Sequence, residues 1–362
     1  MNAIPFQARQ CCAVKPYTND LSLVMQNTDF PKVTIGIPVY NGENFLREAI
    51  ESVLNQTYGD FELLLCDNAS TDLTAEICQE YVQRDSRVRY HRNPENIGLS
   101  RNLNRVFELS RGEYFKWAAH DDLIAPNYLS SCLAIMEADP EIVLCQSHIQ
   151  VVGKEGKPIF AGISDNDDVV VTAVNANVSL PLDSQSPYVR LKAITVDATD
   201  WLQVYGLIRR DALLKTPLFG AFPADDMILL AQLALLGRFY TLPESLFSSR
   251  RHRDQSISLG MDYSMHQFAI WLNPDKKGKL IFPHWEIIAK CWQSIQESHY
   301  RGVDKLSLYL CLAKLIAKLK KHLGKDLIIG LIQLVERAGR SVFVQANAVP
   351  NQLIFNRFPR LI

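Results

Sequence analysis

The sequence predicts an α/β fold, in which a mixed, mainly parallel sheet has helices on both faces and is followed by a helical C-terminal extension. Between residues 33 and 138, short apolar runs alternate with segments of helical periodicity, which is typical of a parallel sheet. Polar residues collect where these runs end, and beyond residue 260 long helical patterns replace the alternation. Ligands bind at the carboxyl ends of strands in such sheets, so the polar strand ends predict the site.

Each predicted element rests on a local pattern. The strand-like runs, rich in β-branched and other apolar residues, span 33–39, 61–66, 88–92, 114–122, 142–146, 201–208 and 239–247. The helical patterns span 45–54, 73–82, 99–107, 126–136 and 227–236. The turn-forming pair Asn41-Gly42 separates the first strand from its helix, a hairpin is expected around 153–156, and Gly237 ends the last of these helices.

Changes of pattern along the chain predict three regions. Residues 1–30 lack sustained periodicity and are interpreted as a flexible N-terminal arm, 31–256 as the α/β domain, and 257–362 as a mostly helical extension. Within the domain, the polar segment 162–187 is expected to lie at the surface near a site. Its acidic stretch 165–168 fits either a calcium site or a solvated loop, and the missing EF-hand spacing favours the loop.

Composition limits the classes of function. The 362 residues are 48% apolar and carry a formal net charge of −1, which gives no electrostatic reason to bind nucleic acid. The 8 cysteines form no CxxC pair and are expected to be buried hydrophobes in a reducing compartment. We find neither a signal peptide nor the apolar run of roughly 20 residues that a membrane span needs. These observations predict a cytoplasmic protein.

The helix expected after residue 300 is amphipathic. Its apolar face comprises Leu308, Leu312, Leu315, Ile316, Leu319 and Leu323. Lysines lie close to that face at positions 314, 318, 320, 321 and 325. A basic amphipathic helix can lie on an anionic membrane, here on its inner surface, but the same pattern fits a helix packed on the main domain with solvated lysines.

Three successive strand ends carry the polar pairs Tyr40-Asn41, Asp67-Asn68 and Asp121-Asp122. Adjacent carboxylates at a strand end suit Mg²⁺ or Mn²⁺, which take one or two protein carboxylates and complete their shell with substrate phosphates and water. Asp121 and Asp122 also fit caps for the helix near Pro126. Asp225 and Asp226 likewise fit either a functional acid pair, in which like charges raise one pKa, or a cap for the helix at 227–236.

Five motifs in order resemble the family 2 glycosyltransferases of the GT-A fold, a Rossmann-like nucleotide-sugar fold. They are Ile37-Pro38-Val39-Tyr40-Asn41-Gly42, the segment 56–63 leading to Asp67-Asn68-Ala69-Ser70-Thr71-Asp72, Asn93-Pro94-Glu95-Asn96-Ile97-Gly98, Arg111-Gly112-Glu113-Tyr114, and Asp121-Asp122. The resemblance covers roughly residues 32–256. It implies a metal-dependent, inverting transferase that moves a hexose-type sugar from a nucleotide-diphosphate donor, foremost a UDP-sugar, to a glycan or lipid-linked acceptor, as in cell-envelope polysaccharide synthesis.

The resemblance also implies roles for particular residues. Pro38, Tyr40, Asp67 and Asn68 would line the nucleoside pocket, with Asn68 where many relatives carry a second acid that reads the base. Asp121 would meet the ribose and Asp122 the Mn²⁺ or Mg²⁺ ion, although His120 stands where relatives often have a further acid. Arg101 falls where relatives steady the nucleotide, and it fits a surface helix charge equally well.

The catalytic base of the family is an acid just before a helix, which here aligns best with Asp226 and next with Asp225. Arg251 and His252 match a basic element that closes over the diphosphate in relatives, and His252 is a candidate metal ligand or a hydrogen-bonded structural histidine. A sugar nucleotidyltransferase would need a glycine-rich, basic loop after the first strand, which is missing. A nucleotide-sugar sensor or scaffold of the same fold is the remaining alternative.

Overall fold

Hydrogen bonding joins the predicted apolar runs into one sheet. The computed structural model describes residues 30–159, 180–252 and 264–346, with side chains up to residue 335. Within these residues the strands are β1 Val33–Val39, β2 Phe61–Asp67, β3 Val88–Arg92, β4 Tyr114–Trp117, β5 Leu123–Ile124, β6 Ile142–Val152, β7 Leu207–Arg209 and β8 Arg238–Arg250. Their order across the sheet is β3-β2-β1-β4-β7-β6-β8-β5.

The first four strands are parallel, and the other half of the sheet is mixed. β1 pairs in parallel with both β2 and β4, and β2 with β3, so their carboxyl ends reach the same edge. β7 is antiparallel to both β4 and β6, β6 is parallel to β8, and β5 is antiparallel to β8. The predicted mixed, mainly parallel sheet is confirmed.

Helices cover both faces of the sheet. They are α1 Leu46–Leu54, α2 Thr74–Arg84, α3 Leu99–Glu108, α4 Tyr128–Ala138, α5 Pro187–Lys192, α6 Arg210–Leu213, α7 Asp225–Leu236, α8 Met265–Leu272, α9 Pro283–Glu297 and α10 Gly302–Ala346. Because successive strand side chains point to opposite faces, Leu63 and Leu65 join the core beneath α1, α2 and α4. Leu64 and Cys66 join the second core, beneath α3, α7, α9 and α10.

Several strand boundaries differ from the prediction: β6 continues to Val152, and only Leu207–Arg209 of the run 201–208 forms a strand, because Leu202–Tyr205 is a helical turn. Two further differences matter for the site. β4 ends at Trp117, so Asp121 and Asp122 lie in a turn after the strand and not at its last residues. That turn leads directly into the two-residue β5, which pairs with β8. β8 continues to Arg250 instead of ending at 247, because β6 pairs with it as far as Val152.

The C-terminal helix packs on the domain as the second interpretation of its pattern predicted. Leu308, Leu312, Leu315 and Leu323 are buried in the second core, whereas Ile316 is exposed. Lys314 donates a 2.6 Å hydrogen bond to the Tyr188 hydroxyl and thereby also ties the helix to α5. Most of the apolar face that could have contacted a membrane is therefore buried against the domain. Along the described ranges, every helix is too short or too polar to cross a bilayer.

Some predictions concern residues outside the described ranges. They are the N-terminal arm up to residue 29, residues 162–179 of the polar segment 162–187 with the acidic stretch, and the boundary between 256 and 257. The hairpin expected near residue 154 is described: Gly153 and Lys157 close a turn by a 2.8 Å backbone hydrogen bond, and Val152 bridges to Pro158.

Candidate functional site

A cavity of about 750 Å³ opens at the carboxyl ends of β1, β2 and β4. Its walls come from the segment after β1, the loop before α3 together with the start of α3, the turn before β5, and the end of α8. The lining residues predicted from sequence are Pro38, Tyr40, Asn68, Arg101, Asp121 and Asp122. The parallel register of the sheet therefore brings together groups that are far apart in the chain.

Asn68 shapes one wall of the cavity. Its side-chain oxygen accepts hydrogen bonds from the backbone N–H of Ile97 at 3.0 Å and from the Asn93 amide at 3.1 Å. Its own amide donates to Asn96 at 2.7 Å. Asn68 thus holds the loop before α3 against the sheet. Tyr40, also in the lining, leaves almost half of its surface exposed.

Asp67 is the predicted nucleoside residue that the cavity lining does not include. Its carboxylate is fully buried and accepts hydrogen bonds from the Ser70 backbone N–H at 2.8 Å, the Tyr90 hydroxyl at 2.8 Å and Arg92 at 3.1 Å. These bonds join the end of β2 to β3 and to the start of the next loop. Asp67 therefore stabilises the end of β2 without lining the cavity.

Asp121 and Asp122 occupy the turn between β4 and β5, and both are buried. Burial, followed by the nearby charge of Asp121, raises the pKa of Asp122 to about 7. One Asp122 oxygen accepts the backbone N–H of Arg250 at 2.9 Å. The Nε2 atom of His252 lies 3.0 Å from an Asp121 carboxylate oxygen, and its ring packs 4.6 Å from the ring of Phe45.

Arg250 connects the acidic turn to the rest of the domain, and no sequence pattern marks it beyond its position after an apolar run. Its side chain is 1% exposed, donates to the Asp121 carbonyl at 2.8 Å and to the Glu48 carboxylate of α1 at 2.7 Å, and also donates to the Lys154 carbonyl. The guanidinium lies 4.6 Å from the centre of the Phe45 ring. A buried arginine with several partners gives the turn a defined position.

The residues of the turn fit a divalent cation that takes part of its shell from a diphosphate. Within the described ranges, no three His, Cys, Asp or Glu side chains converge on one point, either at this turn or elsewhere. The protein side chains alone therefore offer a metal ion an incomplete coordination shell. Mg²⁺ and Mn²⁺ are commonly held this way, by one or two carboxylates plus substrate phosphates. Asp122 is a buried carboxyl group whose raised pKa a cation would lower, which fits a ligand. Arg101 and Arg251 add positive charge to the lining.

Asp225 and Asp226 form the first turn of α7, directly after Ala224, whose φ of 61° is a left-handed conformation. Asp225 accepts hydrogen bonds from the Ser100 hydroxyl at 2.9 Å and the Ala221 N–H at 3.2 Å. It therefore connects the start of α7 to α3 and to the segment that precedes α7. Burial raises the pKa of Asp225 to about 6. Burial, and then the charge of Asp225, raises the pKa of Asp226 to about 7. The expected like-charge effect is present but second to burial.

Tyr205 lies near both the Asp121-Asp122 turn and Asp226, and it was not predicted from the sequence. Tyr205 lines the cavity, whereas Asp225 and Asp226 are outside the lining. Burial raises the Tyr205 pKa, and the negative charges of Asp122, Asp121 and Asp226 raise it further, so all three carboxyl groups lie within electrostatic reach of this phenol. The buried Lys116 of β4 donates to the Tyr205 carbonyl and fixes its position. A tyrosine in a weakly periodic stretch gave no signal in the sequence.

Comparisons with known proteins agree with this architecture. Residues 34–162 match the profile of the family described as Glycosyl transferase family 2. The chain is 41% identical over 136 residues to an uncharacterised glycosyltransferase of Rickettsia typhi, covering 37% of this chain and 42% of that protein. It is 37% identical over 100 residues to the glycosyltransferase GlyA of Streptococcus pneumoniae, covering 28% and 14%. The chain thus spans less than half the length of these relatives.

Solved structures match over a longer stretch. The crystal structure of S. aureus TarS in complex with UDP-GlcNAc superposes with a TM-score of 0.55 at 16% identity, covering 84% of this chain and 82% of that one. The TarS complex with UDP gives a TM-score of 0.52, covering 80% and 71%. At this identity the likeness concerns the fold, which is GT-A. The sequence likeness to glycosyltransferase family 2 lies in residues 34–162, and the likeness to the solved structures extends the shared fold beyond them.

Proposed function

We propose that this protein is a metal-dependent, inverting glycosyltransferase that moves a sugar from a UDP-sugar to a glycan or lipid-linked acceptor. The observation that carries the proposal is the cavity itself, which is lined both by the segment after β1 and by the turn of Asp121 and Asp122. The same cavity contains Arg101 and Arg251, whose positive charges suit a diphosphate. TarS, which has this fold, binds UDP-GlcNAc, and this supports the choice of a UDP-sugar.

The donor is proposed to lie along the cavity with its base on Tyr40. The exposed ring of Tyr40 offers an aromatic face for stacking, and Asn68 and Pro38 border the same end. Asp121 is proposed to meet the ribose. Asp122 and His252 are the proposed protein ligands of Mn²⁺ or Mg²⁺, and the bound ion would neutralise charge on the departing diphosphate.

Asp226 is the proposed general base, and Asp225 is proposed to hold the start of α7, and with it Asp226, in position. In this reaction the acceptor oxygen bonds to the anomeric carbon while its proton passes to the Asp226 carboxylate. The bond from that carbon to the diphosphate oxygen breaks, and the electron pair leaves with UDP. Attack on the face opposite the leaving group inverts the anomeric configuration. A base works best when its pKa is near the working pH, as the pKa of about 7 for Asp226 is.

The discriminating experiment measures UDP release from UDP-GlcNAc, UDP-glucose and UDP-galactose with Mn²⁺ and no added acceptor. A transferase is expected to hydrolyse its own donor slowly, because water can take the place of the acceptor. A nucleotide-sugar sensor or scaffold of the same fold would bind the donor without releasing UDP. If UDP is released from none of the three donors although UDP raises the melting temperature, the sensor or scaffold function is favoured.

We further propose that the second half of α10 contacts an anionic membrane surface from the cytoplasmic side. Apolar side chains are exposed there at Leu327, Ile328, Leu331, Ile332, Leu334 and Val335. Exposed lysines precede them at 318, 320, 321 and 325. Exposed apolar groups beside lysines are the features of an interfacial helix.

For the membrane contact, we expect the protein to sediment with vesicles of phosphatidylglycerol and phosphatidylcholine at low salt and to dissociate as salt screens the charges. The double change Lys320→Glu and Lys321→Glu should reduce this binding, since each basic residue near an anionic surface contributes about 1 kcal/mol. Vesicles of phosphatidylcholine alone are the control. Equal binding to both kinds of vesicle, or none at low salt, would contradict the proposal.

A further inference from the structure

One part of the cavity lining lies outside residues 34–162 and makes none of the proposed donor contacts. It is the end of α8 and the turn that follows, from Trp271 through Leu272, Asn273 and Pro274 to Asp275. Leu202 and Tyr205 of the short helical turn Leu202–Tyr205 also line the cavity. These residues share the cavity with the acidic turn, so whatever they bind lies beside the donor.

Trp271 presents an aromatic surface that the protein leaves uncovered. Its side chain is 39% exposed although it lines a cavity. The ring of Phe268 stacks on it, with 5.6 Å between the centroids and 10° between the planes. A large, supported, water-exposed aromatic ring in a cavity is a typical ligand contact. The negative face of its π-system attracts the weakly positive C–H groups on one face of a pyranose.

The turn after Trp271 supplies polar groups at the edge of this surface and is held rigidly. The Asn273 side-chain oxygen accepts the Asp275 backbone N–H at 3.1 Å and caps the turn Pro274–Lys276. Lys276 pairs with Glu286 of α9 at 2.8 Å, which anchors the turn to the helical extension. Asp275 is exposed, so its carboxylate is available to accept hydrogen bonds from sugar hydroxyls.

The start of α8 is also fixed. A capping box joins Ser264 and Gln267, with the Ser264 hydroxyl accepting the Gln267 N–H at 3.3 Å and the Gln267 side chain accepting the Ser264 N–H at 2.8 Å. The imidazole of His266 lies 3.9 Å from the buried carboxylate of Asp326 on α10. The helix that carries Trp271 is therefore positioned before any ligand binds, which lowers the entropic cost of binding.

We propose that Trp271, with Asn273 and Asp275 at its edge, forms the acceptor subsite and binds a pyranose ring of a glycan acceptor. This inference rests on the proposed transferase function and adds the chemical class of its second substrate. The pyranose stacks on Trp271, and its attacking hydroxyl points toward Tyr205, which lines the same cavity as Asp121 and Asp122 of the acidic turn. The donor contacts described above do not involve Trp271, so the two substrates depend on different residues.

The test compares Trp271→Ala with Trp271→Phe, and Trp292→Ala serves as the matched control. Trp292 lies on α9, is 50% exposed and lies outside the cavity lining. For each protein, UDP release is measured with and without a panel of methyl pyranosides and disaccharides of glucose, galactose, mannose and N-acetylglucosamine. UDP binding is followed separately by melting temperature in the presence of Mn²⁺.

We expect one class of pyranoside to accelerate UDP release by the wild type and by Trp292→Ala. In Trp271→Ala the KM for that pyranoside should rise by about tenfold, a larger change than any in donor hydrolysis or in the UDP-induced shift of the melting temperature. Trp271→Phe should retain most of the pyranoside affinity, since it keeps an aromatic face.

Two results would overturn this subsite while leaving the transferase proposal intact. One is an unchanged pyranoside KM in Trp271→Ala, and the other is normal donor hydrolysis by the wild type with no effect of any pyranoside. If the wild type neither releases UDP nor responds to UDP in melting temperature, the proposed function itself fails, and this inference fails with it. The separate UDP-binding measurement distinguishes these cases.

Discussion

Replacing Asp226 with Asn is expected to lower sugar transfer by about 10²- to 10⁴-fold, the range that a positioned general base contributes. The amide has nearly the shape of the carboxylate but cannot take the acceptor proton. UDP binding should persist, because Asp226 lies outside the cavity lining. The exposed Asp211 on α6 provides a matched control, Asp211→Asn, in which transfer should be unaffected. Near-normal transfer by Asp226→Asn would move the base to another residue.

The same variant should be more stable than the wild type at neutral pH. The pKa of Asp226 rises from 3.8 to about 7 on folding, so its charged form is disfavoured in the folded state. The resulting loss in the free energy of unfolding of the wild type is absent below pH 4, grows between pH 4 and 7, and is complete above pH 7. Thermal unfolding scans should therefore give Asp226→Asn a higher melting temperature than the wild type at pH 8. Near pH 4 the two melting temperatures should be equal. A difference independent of pH would contradict the assignment of the raised pKa.

Replacing Asp122 with Asn is expected to remove the Mn²⁺-dependent part of UDP affinity. In the wild type, UDP at 100 times its Kd should stabilise the fold by about 2.7 kcal/mol, and chelation of Mn²⁺ by EDTA should abolish most of that gain. In Asp122→Asn the melting temperature with UDP should be the same with Mn²⁺ or EDTA. The amide oxygen can still accept the Arg250 N–H, so the turn is expected to keep its position.

Asp211→Asn is again the control for Asp122→Asn, since it removes an exposed carboxylate far from the turn in sequence and should leave the Mn²⁺ effect intact. If Mn²⁺ strengthens UDP binding in Asp122→Asn as much as in the wild type, Asp122 is not a ligand. If neither protein responds to Mn²⁺, the proposed metal dependence is wrong while the nucleotide site remains.

The strands and helices of the first half were predictable because their signals are local. The β-branched run of β1 and the periodic helix that follows it depend only on neighbouring residues. The two-residue β5 was not predictable, since Leu123 and Ile124 become a strand only through pairing with β8, more than 120 residues away. The continuation of β8 to Arg250 likewise depends on its long-range pairing with β6.

The positions of the candidate site residues were predictable to the level of the strand end but not of the individual side chain. Sequence reasoning brought Asp67 and Asn68 to the same edge, yet hydrogen bonds to Tyr90 and Arg92 turn Asp67 away from the cavity while Asn68 lines it. Tyr205 and Trp271 reach the cavity through tertiary packing alone. Their surroundings in sequence have no pattern that marks a site.

We propose that the cavity binds a nucleotide-sugar and that the protein breaks its glycosyl bond there. The most direct measurement incubates the protein with UDP-, GDP-, dTDP- and CDP-sugars, each with Mn²⁺ or with EDTA, and quantifies the released nucleoside diphosphate. We predict release from UDP-sugars with Mn²⁺, little release with EDTA, and a strong loss in Asp226→Asn. Release from none of the donors under any condition, by a folded protein, would contradict the proposed function.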